Sequence, residues 1–262
     1  MVTDIAITLP RESFRAVSDK VKISECKVKK NFEGQIREVW RNADAVCFDV
    51  DSTVCQDEAI DEFAKYLGCG EEVANCTKNA MNGSQSFRSA LEARLNVMKP
   101  TKAQLDDYCL NFKPLLTKDI LSLIKTLHTN RTEVYLVSGG FRKIIIPIAK
   151  YLQIKPENVF ANEILFDNQG NYAGFDTNEF TSDSGSKNVG KPGVCNYLIH
   201  EYGYQNLVMI GDGATDAEAF PPAHAFIGFG GNVIRESVKQ VAPWFVYDFK
   251  TLIDELDKRM SA

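Results

Sequence analysis

The chain has few of the features that build disulfide-bonded or zinc-binding proteins. Its seven cysteines are an odd number, no two of them form a C-x-x-C pair, and its three histidines are scattered. Disulfide scaffolds and structural zinc sites both depend on paired cysteines or clustered ligands. The sequence therefore disfavours both classes and predicts free thiols in a reducing cytosol.

Long apolar runs and an excess of positive charge are also missing. The formal net charge is −5, whereas surfaces that bind nucleic acids or anionic membranes carry clustered lysine and arginine. No apolar run approaches the roughly 20 residues of a membrane span. Acidic residues stand at Asp4, Glu12, Asp19 and Glu25, where a signal peptide would need an apolar core. We therefore expect a cytoplasmic protein with neither a nucleic-acid nor a membrane partner.

Two kinds of pattern divide the chain. Residues 36–56 and 131–262 alternate short apolar strands with helices, which predicts an α/β core with a doubly wound, mostly parallel sheet. A hairpin is expected around residues 168–171. Residues 57–130 have apolar residues at helical spacing and contain more helix than one crossover needs, so we predict an inserted helical cap domain. Residues 1–35 show no sustained period and form an N-terminal extension with no assigned role.

Two aspartates at one strand end are the most informative feature. Residues 45–48 are apolar, as in a buried strand, and lead directly into Asp49-Val50-Asp51. In open parallel sheets, ligands bind at the carboxyl edge, where such a strand ends. Neighbouring carboxylates repel each other and lose hydration there, so a cation or a shared proton has to relieve them. The alternative is an ordinary strand end with two solvated aspartates.

Two further strands end in polar glycine turns. Residues 134–137 lead into Ser138-Gly139-Gly140, and residues 207–210 lead into Gly211-Asp212-Gly213. Because the carboxyl ends of parallel strands share one edge, both turns are expected beside Asp49. Asp49 and Asp212, with backbone carbonyls and waters, would form an oxygen-only site suited to Mg²⁺. The turn headed by Ser138 is suited to an anion.

Lys191 supplies the positive charge that an anionic ligand needs at this edge. A divalent cation, a carboxylate nucleophile, an anion-binding turn and a lysine together are typical of phosphoryl transfer, because the cations remove the repulsion between phosphate and carboxylate. Attack by the carboxylate gives an acyl phosphate. Taken singly, these features are also common as ordinary turns or surface lysines. Their joint position on successive strand ends carries the prediction.

The same residues resemble the four motifs of the haloacid-dehalogenase-like phosphatases. The cap and tail segments resemble the phosphoserine phosphatases within that superfamily, and the similarity runs from about Arg37 to Lys258. The motifs are Asp49–Val54, Ser138–Gly140, Gly190-Lys191 and Gly211–Asp216, and the other matching segments are Glu58, Ala80–Arg94 and Phe226–Arg235.

The resemblance implies a Mg²⁺-dependent hydrolase of O-phospho-L-serine, the last enzyme of serine biosynthesis. Asp49 would be the nucleophile that becomes aspartyl phosphate. Asp51 would protonate the departing serine hydroxyl and then activate water. Mg²⁺ would be held by Asp49, Asp212 and the backbone carbonyl of Asp51. A homodimer is a further expectation.

The phosphate would be bound by residues from the later motifs. The resemblance implies that Ser138, Gly139 and Lys191 contact the phosphoryl group, while Thr215 and Asp216 support the phosphate and the metal. Lys187 is a rival for the lysine role, and we favour Lys191 because its spacing to the Asp212 motif fits the family.

The amino-acid part of the substrate would be recognised from the cap. The resemblance implies that Glu58 binds the ammonium group and that Arg94 binds the carboxylate, which an arginine fork matches in geometry. Met81 and Phe87 would line the same pocket. The chain departs from the family at Asn82, where a glycine usually follows the methionine, and at Pro192, after the motif lysine.

Three other functions stay open on the sequence. A phosphatase with the same core could act on another small phosphomonoester or on a phosphoprotein. A regulatory module that is phosphorylated on aspartate collects similar residues, but it would leave the inserted cap unused. A catalytically inactive scaffold is the third, and the complete set of motifs speaks against it.

Overall fold

The computed structural model describes residues 32–82 and 86–258, and within them the chain forms eight strands and eleven α-helices. The strands are β1 (Ala45–Phe48), β2 (Glu133–Phe141), β3 (Val159–Asn162), β4 (Ile164–Phe166), β5 (Tyr172–Phe175), β6 (Leu207–Gly211), β7 (Ala225–Phe229) and β8 (Trp244–Val246). The helices are α1 (32–41), α2 (Ala59–Tyr66), α3 (Gly70–Asn82), α4 (Phe87–Met98), α5 (Lys102–Asn111), α6 (Ile120–Thr129), α7 (Arg142–Tyr151), α8 (Gly190–Tyr202), α9 (Ala214–Ala217), α10 (Glu236–Val241) and α11 (Phe249–Asp257).

Six strands form one sheet in the order β3-β2-β1-β6-β7-β8, and every neighbouring pair is parallel. The first strand lies between β2 and β6, so Ala45 is opposite both Glu133 and Leu207. The chain therefore winds outward in one direction through β3 and in the other through β8. Ligands of such sheets bind beyond the carboxyl ends at this reversal point. The separate β4–β5 pair is antiparallel and confirms the predicted hairpin.

Both faces of the sheet are covered, which confirms the doubly wound architecture. Alternate residues of β1 point to opposite sides. Val46 and Phe48 join one buried cluster with α1, α6, α7 and α11, while Ala45 and Cys47 join another with α8 and α10. All four strand residues are completely buried. This explains why β1 shows an unbroken apolar run rather than an alternating pattern.

A third apolar cluster lies under the helices that follow β1. Helices α2 to α5 pack their apolar faces on one another, on Phe141 at the end of β2 and on Ile144 in α7. Helix α6 instead packs on the sheet, through Leu123 and Leu127 among others. The division at residues 57 and 130 stays a prediction, and the packing groups α6 with the core crossover that leads into β2.

Helix α1 is attached to α11 by polar contacts as well as by packing. The Trp40 indole donates to the Leu252 carbonyl at 3.0 Å. Glu255 is 2% exposed and pairs with Arg37 at 2.7 Å, with Lys258 at 2.9 Å and with Arg41. Residues 32–35 of the predicted N-terminal extension belong to this helix, and residues 1–31 lie outside the described part of the chain.

Two further features concern the described residues as a whole. None of the helices they form is both long and apolar enough to cross a bilayer. The six cysteines among them are free thiols, three of which are buried.

Glu255→Gln should weaken the attachment of α1, because a neutral amide cannot balance the cations around it. We expect the free energy of unfolding at pH 7 to fall by about 2 kcal/mol, as for lost hydrogen bonds to a charged group. Burial acts to raise the pKa of Glu255, but hydrogen bonds from Lys258, Arg41 and Arg37 outweigh it and hold the pKa below its ordinary value. The stabilisation is therefore present above the ordinary glutamate pKa and is lost as the pH falls through the folded-state value. Urea unfolding at a series of pH values should show the two proteins converging on acidification.

Glu236→Gln is the matched control, because Glu236 pairs with Lys239 at 3.6 Å on an exposed surface. Exposed pairs of this kind contribute little to stability. The control should unfold at the urea concentration of the wild type. Equal losses in the two variants would contradict the role of Glu255.

Candidate active site

The turn after β1 places two carboxylates at the reversal point of the sheet. Asp49 ends the strand in an extended conformation, and its N–H still donates to the Ile210 carbonyl at 2.9 Å. Asp51 is also extended, whereas Ser52 is left-handed with φ 54°. Cys55 N–H then donates to the Val50 carbonyl at 2.8 Å and closes the loop. Val50 is buried, and the aspartates on either side of it both face one cavity.

A cavity of about 170 Å³ lies between this sheet edge and helices α2 and α4. Nine of the predicted site residues line it, and they come from both the core and the helical segment: Asp49, Asp51, Glu58, Phe87, Arg94, Gly139, Lys191, Asp212 and Thr215. Ser138 and Asp216 are completely buried behind its wall. The side chain of Met81 lies outside the described part of the structure. Lys187 is exposed and is not part of the lining.

Lys191 is held between two carboxylates. Its ammonium group lies 2.7 Å from Asp49 Oδ1 and 2.5 Å from Asp216 Oδ1. Burial acts to lower the pKa of Lys191, but the charges of Asp216 and Asp49 outweigh it and raise the pKa above its ordinary value. Asp49 Oδ1 also accepts from Val50 N–H at 2.8 Å. Within the described residues, this leaves Asp49 Oδ2 without a hydrogen bond.

Asp51 is held from two directions. Its Oδ1 accepts from Ala59 N–H, the first residue of α2, at 2.7 Å, and its Oδ2 accepts from the Ser138 hydroxyl at 3.3 Å. Burial raises the pKa of Asp51 to about 7, and the charges of Glu58 and Asp49 act in the same direction. A carboxyl group with such a pKa can exchange a proton near neutrality.

Asp212, at the end of β6, lies close to Asp49. The carboxylates of Asp49, Asp212 and Asp216 offer oxygens within 4.8 Å of one another. Both oxygens of Asp216 are already used, by Lys191 and by Gly213 N–H at 2.8 Å. Burial raises the pKa of Asp212, with Asp49 adding to the effect and Arg235 opposing it. Both oxygens of Asp212 also accept, Oδ1 from the Thr53 hydroxyl at 3.2 Å and Oδ2 from Arg235 at 2.8 Å. Asp49 and Asp212 line the cavity, however, whereas Asp216 does not, so they are the carboxylates that a cation in the cavity could reach.

The carboxyl-terminal part of β2 forms the wall opposite Asp212. The strand continues through Phe141, with an irregular register against β3, so residues 138–140 belong to its end and not to the turn that the sequence predicts. The Ser138 hydroxyl accepts from Gly140 N–H at 2.8 Å, and the Gly139 carbonyl accepts from the Asn162 amide at 2.8 Å. Phe87 lies directly on Gly139, because a Cβ at that position would be 2.6 Å from its ring. Only glycine permits this approach between helix α4 and the end of β2.

The roof of the cavity carries one acid and one base. Glu58 accepts from the Ser52 hydroxyl at 2.8 Å and lies 3.3 Å from Arg235. Arg94 donates to the Ala90 carbonyl in its own helix at 3.2 Å and forms no ion pair with the described residues. Burial lowers the pKa of Arg94, against the effect of the carboxylates around the cavity, and an arginine stays charged under such a shift.

Sequence reasoning missed Arg235 and Asn232 as site residues. Arg235 donates to Asp212 at 2.8 Å and also contacts Glu58, so it connects the floor of the cavity with the roof. The Asn232 amide donates to the Ser52 carbonyl at 3.0 Å and to the Thr117 hydroxyl at 2.7 Å. A signal existed, since both residues follow β7 at the carboxyl edge that the other motifs occupy.

Comparisons with known proteins agree with this geometry. A family model described as a haloacid dehalogenase-like hydrolase matches residues 43–224. The chain is 45% identical over 224 residues to the phosphoserine phosphatase of Rattus norvegicus, a match that covers 86% of this chain and 98% of that protein.

Solved structures give the same picture. The DsGPDH of Dunaliella salina superposes with a TM-score of 0.73 at 33% identity, covering 85% of this chain and 37% of that one. A phospho-aspartyl intermediate analogue of phosphoserine phosphatase superposes with a TM-score of 0.64 at 25% identity, covering 81% of this chain and 98% of that one.

Asn232→Ala should loosen the loop that carries the two aspartates, because the Ser52 carbonyl in that loop and the Thr117 hydroxyl lose the amide that donates to both. We expect the free energy of unfolding to fall by about 2 kcal/mol, the range for buried polar groups left unpaired. Urea unfolding measures the change. Asn111→Ala is the control, since its amide contacts only Asp107 on an exposed helix end. An Asn232 variant as stable as this control would contradict the anchoring role.

Proposed function

The chain belongs to the haloacid dehalogenase-like hydrolases and, within them, to the phosphoserine phosphatases, and on that premise we propose that it hydrolyses O-phospho-L-serine to L-serine and phosphate. The family is the one that the four motifs predict. The observation that carries the substrate assignment is the division of charge in the cavity. Asp49 and Lys191 lie at its floor. The acidic Glu58 lies at its roof with Arg94, which has no ion-pair partner among the described residues.

That division is complementary to phosphoserine. The phosphate needs the cationic floor, and the amino-acid end carries one carboxylate and one ammonium. Arg94 can offer two parallel N–H donors to the carboxylate, and Glu58 can accept from the ammonium. A cavity of about 170 Å³ between core and cap suits a small molecule better than a phosphorylated protein segment. Phe87, and on the resemblance Met81, would complete the pocket wall.

The residues at the floor fit a Mg²⁺ ion. Five acids and three bases line the cavity, so negative charge is in excess before a dianionic phosphate enters. Asp49, Asp212 and the Asp51 backbone carbonyl would hold the ion, because hard oxygen ligands are those that Mg²⁺ prefers. When bound, the ion supplies charge neutralisation at the phosphoryl oxygens. Asp216 would support the site by keeping Lys191 in place.

Asp49 and Asp51 take different roles in the proposed reaction. Asp49 Oδ2 is free to attack phosphorus, while its Oδ1 is held by Lys191 and Val50 N–H. The new O–P bond forms an aspartyl phosphate as the bond to the serine oxygen breaks. Asp51 gives its proton to that leaving oxygen and then removes a proton from the water that hydrolyses the intermediate. The phospho-aspartyl analogue known for a related phosphatase supports this route.

The remaining polar groups position the phosphoryl group. Lys191 places a full positive charge beside the attacking carboxylate. Gly139 and Thr215 line the cavity, and the Ser138 hydroxyl lies at its edge, where it donates to Asp51. Groups fixed in this way before the reaction stabilise developing charge without reorganising.

Three broader expectations stand as proposals. We place the protein in the cytoplasm, where the free thiols of its described residues would stay reduced. A homodimer remains a prediction. The helical segment 57–130 is proposed to act as the cap that covers the substrate, as lids do in other enzymes.

Wild-type protein should release phosphate from O-phospho-L-serine when Mg²⁺ is present and should stop when EDTA is added. Asp49→Asn keeps the shape of the side chain but removes the nucleophile, so we expect kcat to fall by at least about a thousandfold. Phosphate release and the incorporation of labelled phosphate into protein measure the two steps.

The control is Asp44→Asn, a carboxylate at the opposite end of β1 that accepts from Gln205 and Asn206 N–H. It should retain wild-type turnover. Activity of the Asp49 variant equal to that of this control would refute the nucleophile assignment, and absence of turnover by the wild type would refute the substrate.

Arg94→Ala should remove recognition of the substrate carboxylate. We expect kcat/KM for phosphoserine to fall about a hundredfold, equivalent to about 2.7 kcal/mol, because a bidentate charged contact is lost. Phosphoethanolamine, which lacks the carboxylate, should be hydrolysed by the two proteins with similar kcat/KM. Retention of the wild-type preference for phosphoserine in the variant would show that Arg94 does not read the carboxylate.

A further inference from the structure

We propose that Arg88 is a positioning residue that attaches helix α4 to the core and thereby holds Arg94 over the floor of the cavity, where Asp49 and Lys191 lie. We call this attachment the latch. The inference rests on the proposed function for its kinetic readout. Arg88 does not line the cavity, and its side chain is 38% exposed. Its contacts cross from the helical segment to a core loop, residues 176–184, that we call the clasp loop.

Arg88 makes three hydrogen bonds and one ion pair with the clasp loop. Its guanidinium donates to the Ser182 hydroxyl at 3.0 Å, to the Thr177 carbonyl at 3.3 Å and to the Ser182 carbonyl at 3.4 Å. Asp183 lies 3.5 Å away as an ion-pair partner. A planar guanidinium can serve several acceptors at once, which a lysine ammonium on a flexible stem does less well.

The clasp loop is held by hydrogen bonds of its own and is connected through Asn162 to the site. Ser182 is completely buried, and its hydroxyl donates to the Thr177 carbonyl at 3.0 Å. The Thr181 hydroxyl donates to Asn162 at 3.1 Å, and the Asn162 amide donates in turn to the Gly139 carbonyl. The loop therefore supports the end of β2, which carries Ser138 and Gly139.

The same loop also supports Lys191. Gly190, the residue before it, has φ +67°, and a Cβ there would be 2.9 Å from the Asp183 carbonyl. The backbone of the clasp loop thus packs against the start of α8, where Lys191 is placed. Thr181, Asp183 and Ser184 of the loop themselves line the cavity.

Arg88 and its neighbour Phe87 seat the first turn of α4 at two points. Phe87 lies on Gly139, and Arg88 holds the clasp loop beside it. Arg94 lies further along the same helix and has no ion-pair partner of its own among the described residues. Its position over the floor therefore depends on the apolar packing of α4 and on how the first turn of the helix is held.

Loss of the latch should lower the fraction of protein with α4 seated, and the apparent affinity should fall by that fraction. We expect Arg88→Gln to raise KM for phosphoserine about tenfold and to change kcat less than about threefold, since bound substrate restores the seated position through Arg94. Arg88→Lys should give an intermediate KM. p-Nitrophenyl phosphate has no amino-acid end for Arg94 to bind, so its KM should change less than about twofold.

Arg142→Gln is the matched control for loss of stability. Arg142 also donates to main-chain carbonyls, those of Pro156 and Val159, but all its contacts lie within the core. It should leave the KM for phosphoserine unchanged. A double-mutant cycle of Arg88→Gln with Ser182→Ala should be non-additive in KM, because both changes remove the same contact.

Hydrogen–deuterium exchange reads the latch without any substrate. Arg88→Gln should speed exchange in residues 87–98 and 177–184, and Arg142→Gln should not. The proposal is overturned if exchange there is unchanged, if KM for phosphoserine stays at the wild-type value, or if kcat/KM for both substrates falls by one common factor. Failure of the wild type to hydrolyse phosphoserine would count against the proposed function alone, because the exchange result would still decide on the latch.

Discussion

Crowded negative charge at the end of β1 is the constraint on which the rest of the site depends. Asp49 and Asp51 stand one residue apart in a partly dehydrated cavity, with Asp212 and Asp216 close by. Like charges at such a distance are tolerated only when cations or protons relieve them. Lys191 relieves Asp49 and Asp216, Arg235 relieves Asp212, and the proton on Asp51 is favoured by its surroundings. A divalent cation would balance the negative charge that these groups do not neutralise.

The parallel sheet makes this arrangement possible from residues far apart in the chain. Asp49, Ser138 and Asp212 are separated by many residues, but β1 lies between β2 and β6, so their strand ends meet. The flanking helices then supply what strands cannot. Lys191 comes from the start of α8 and Ala59 N–H from the start of α2. The site depends on the register in which Ala45 lies opposite Glu133 and Leu207, because a slip of one residue would turn Asp49 away from the cavity.

The sequence predicted the core and the strand-end residues well because their signals are local. An apolar run followed by carboxylates, or by serine and glycine, marks a strand end and the edge that it reaches. Arg235, Asn232 and Arg88 were not found, since the side chain of each contacts a segment that is distant in the sequence. The role of Glu255 was not predicted for the same reason, because nothing near it in the chain shows that Arg37 and Arg41 are its ion-pair partners. Helix α6 has the same periodicity as α2 to α5, and only its packing on the sheet distinguishes it from them.

Asp51 contacts both the core and the helical segment, and this contact links substrate specificity to the chemical step. One oxygen of Asp51 is held by the first N–H of α2, while the other is held by Ser138 in the core. The residue proposed to transfer the proton therefore touches both the part that would bind the phosphate and the part that would bind the amino acid. If α2 and α4 move together, since they share one apolar cluster, a shift of the roof also changes the hydrogen bond that orients the acid. A substrate that does not bind Arg94 and Glu58 would then place its leaving oxygen badly for receiving the proton from Asp51. Selectivity would appear in the rate of the chemical step as well as in binding, which is how an enzyme uses contacts remote from the reacting bond.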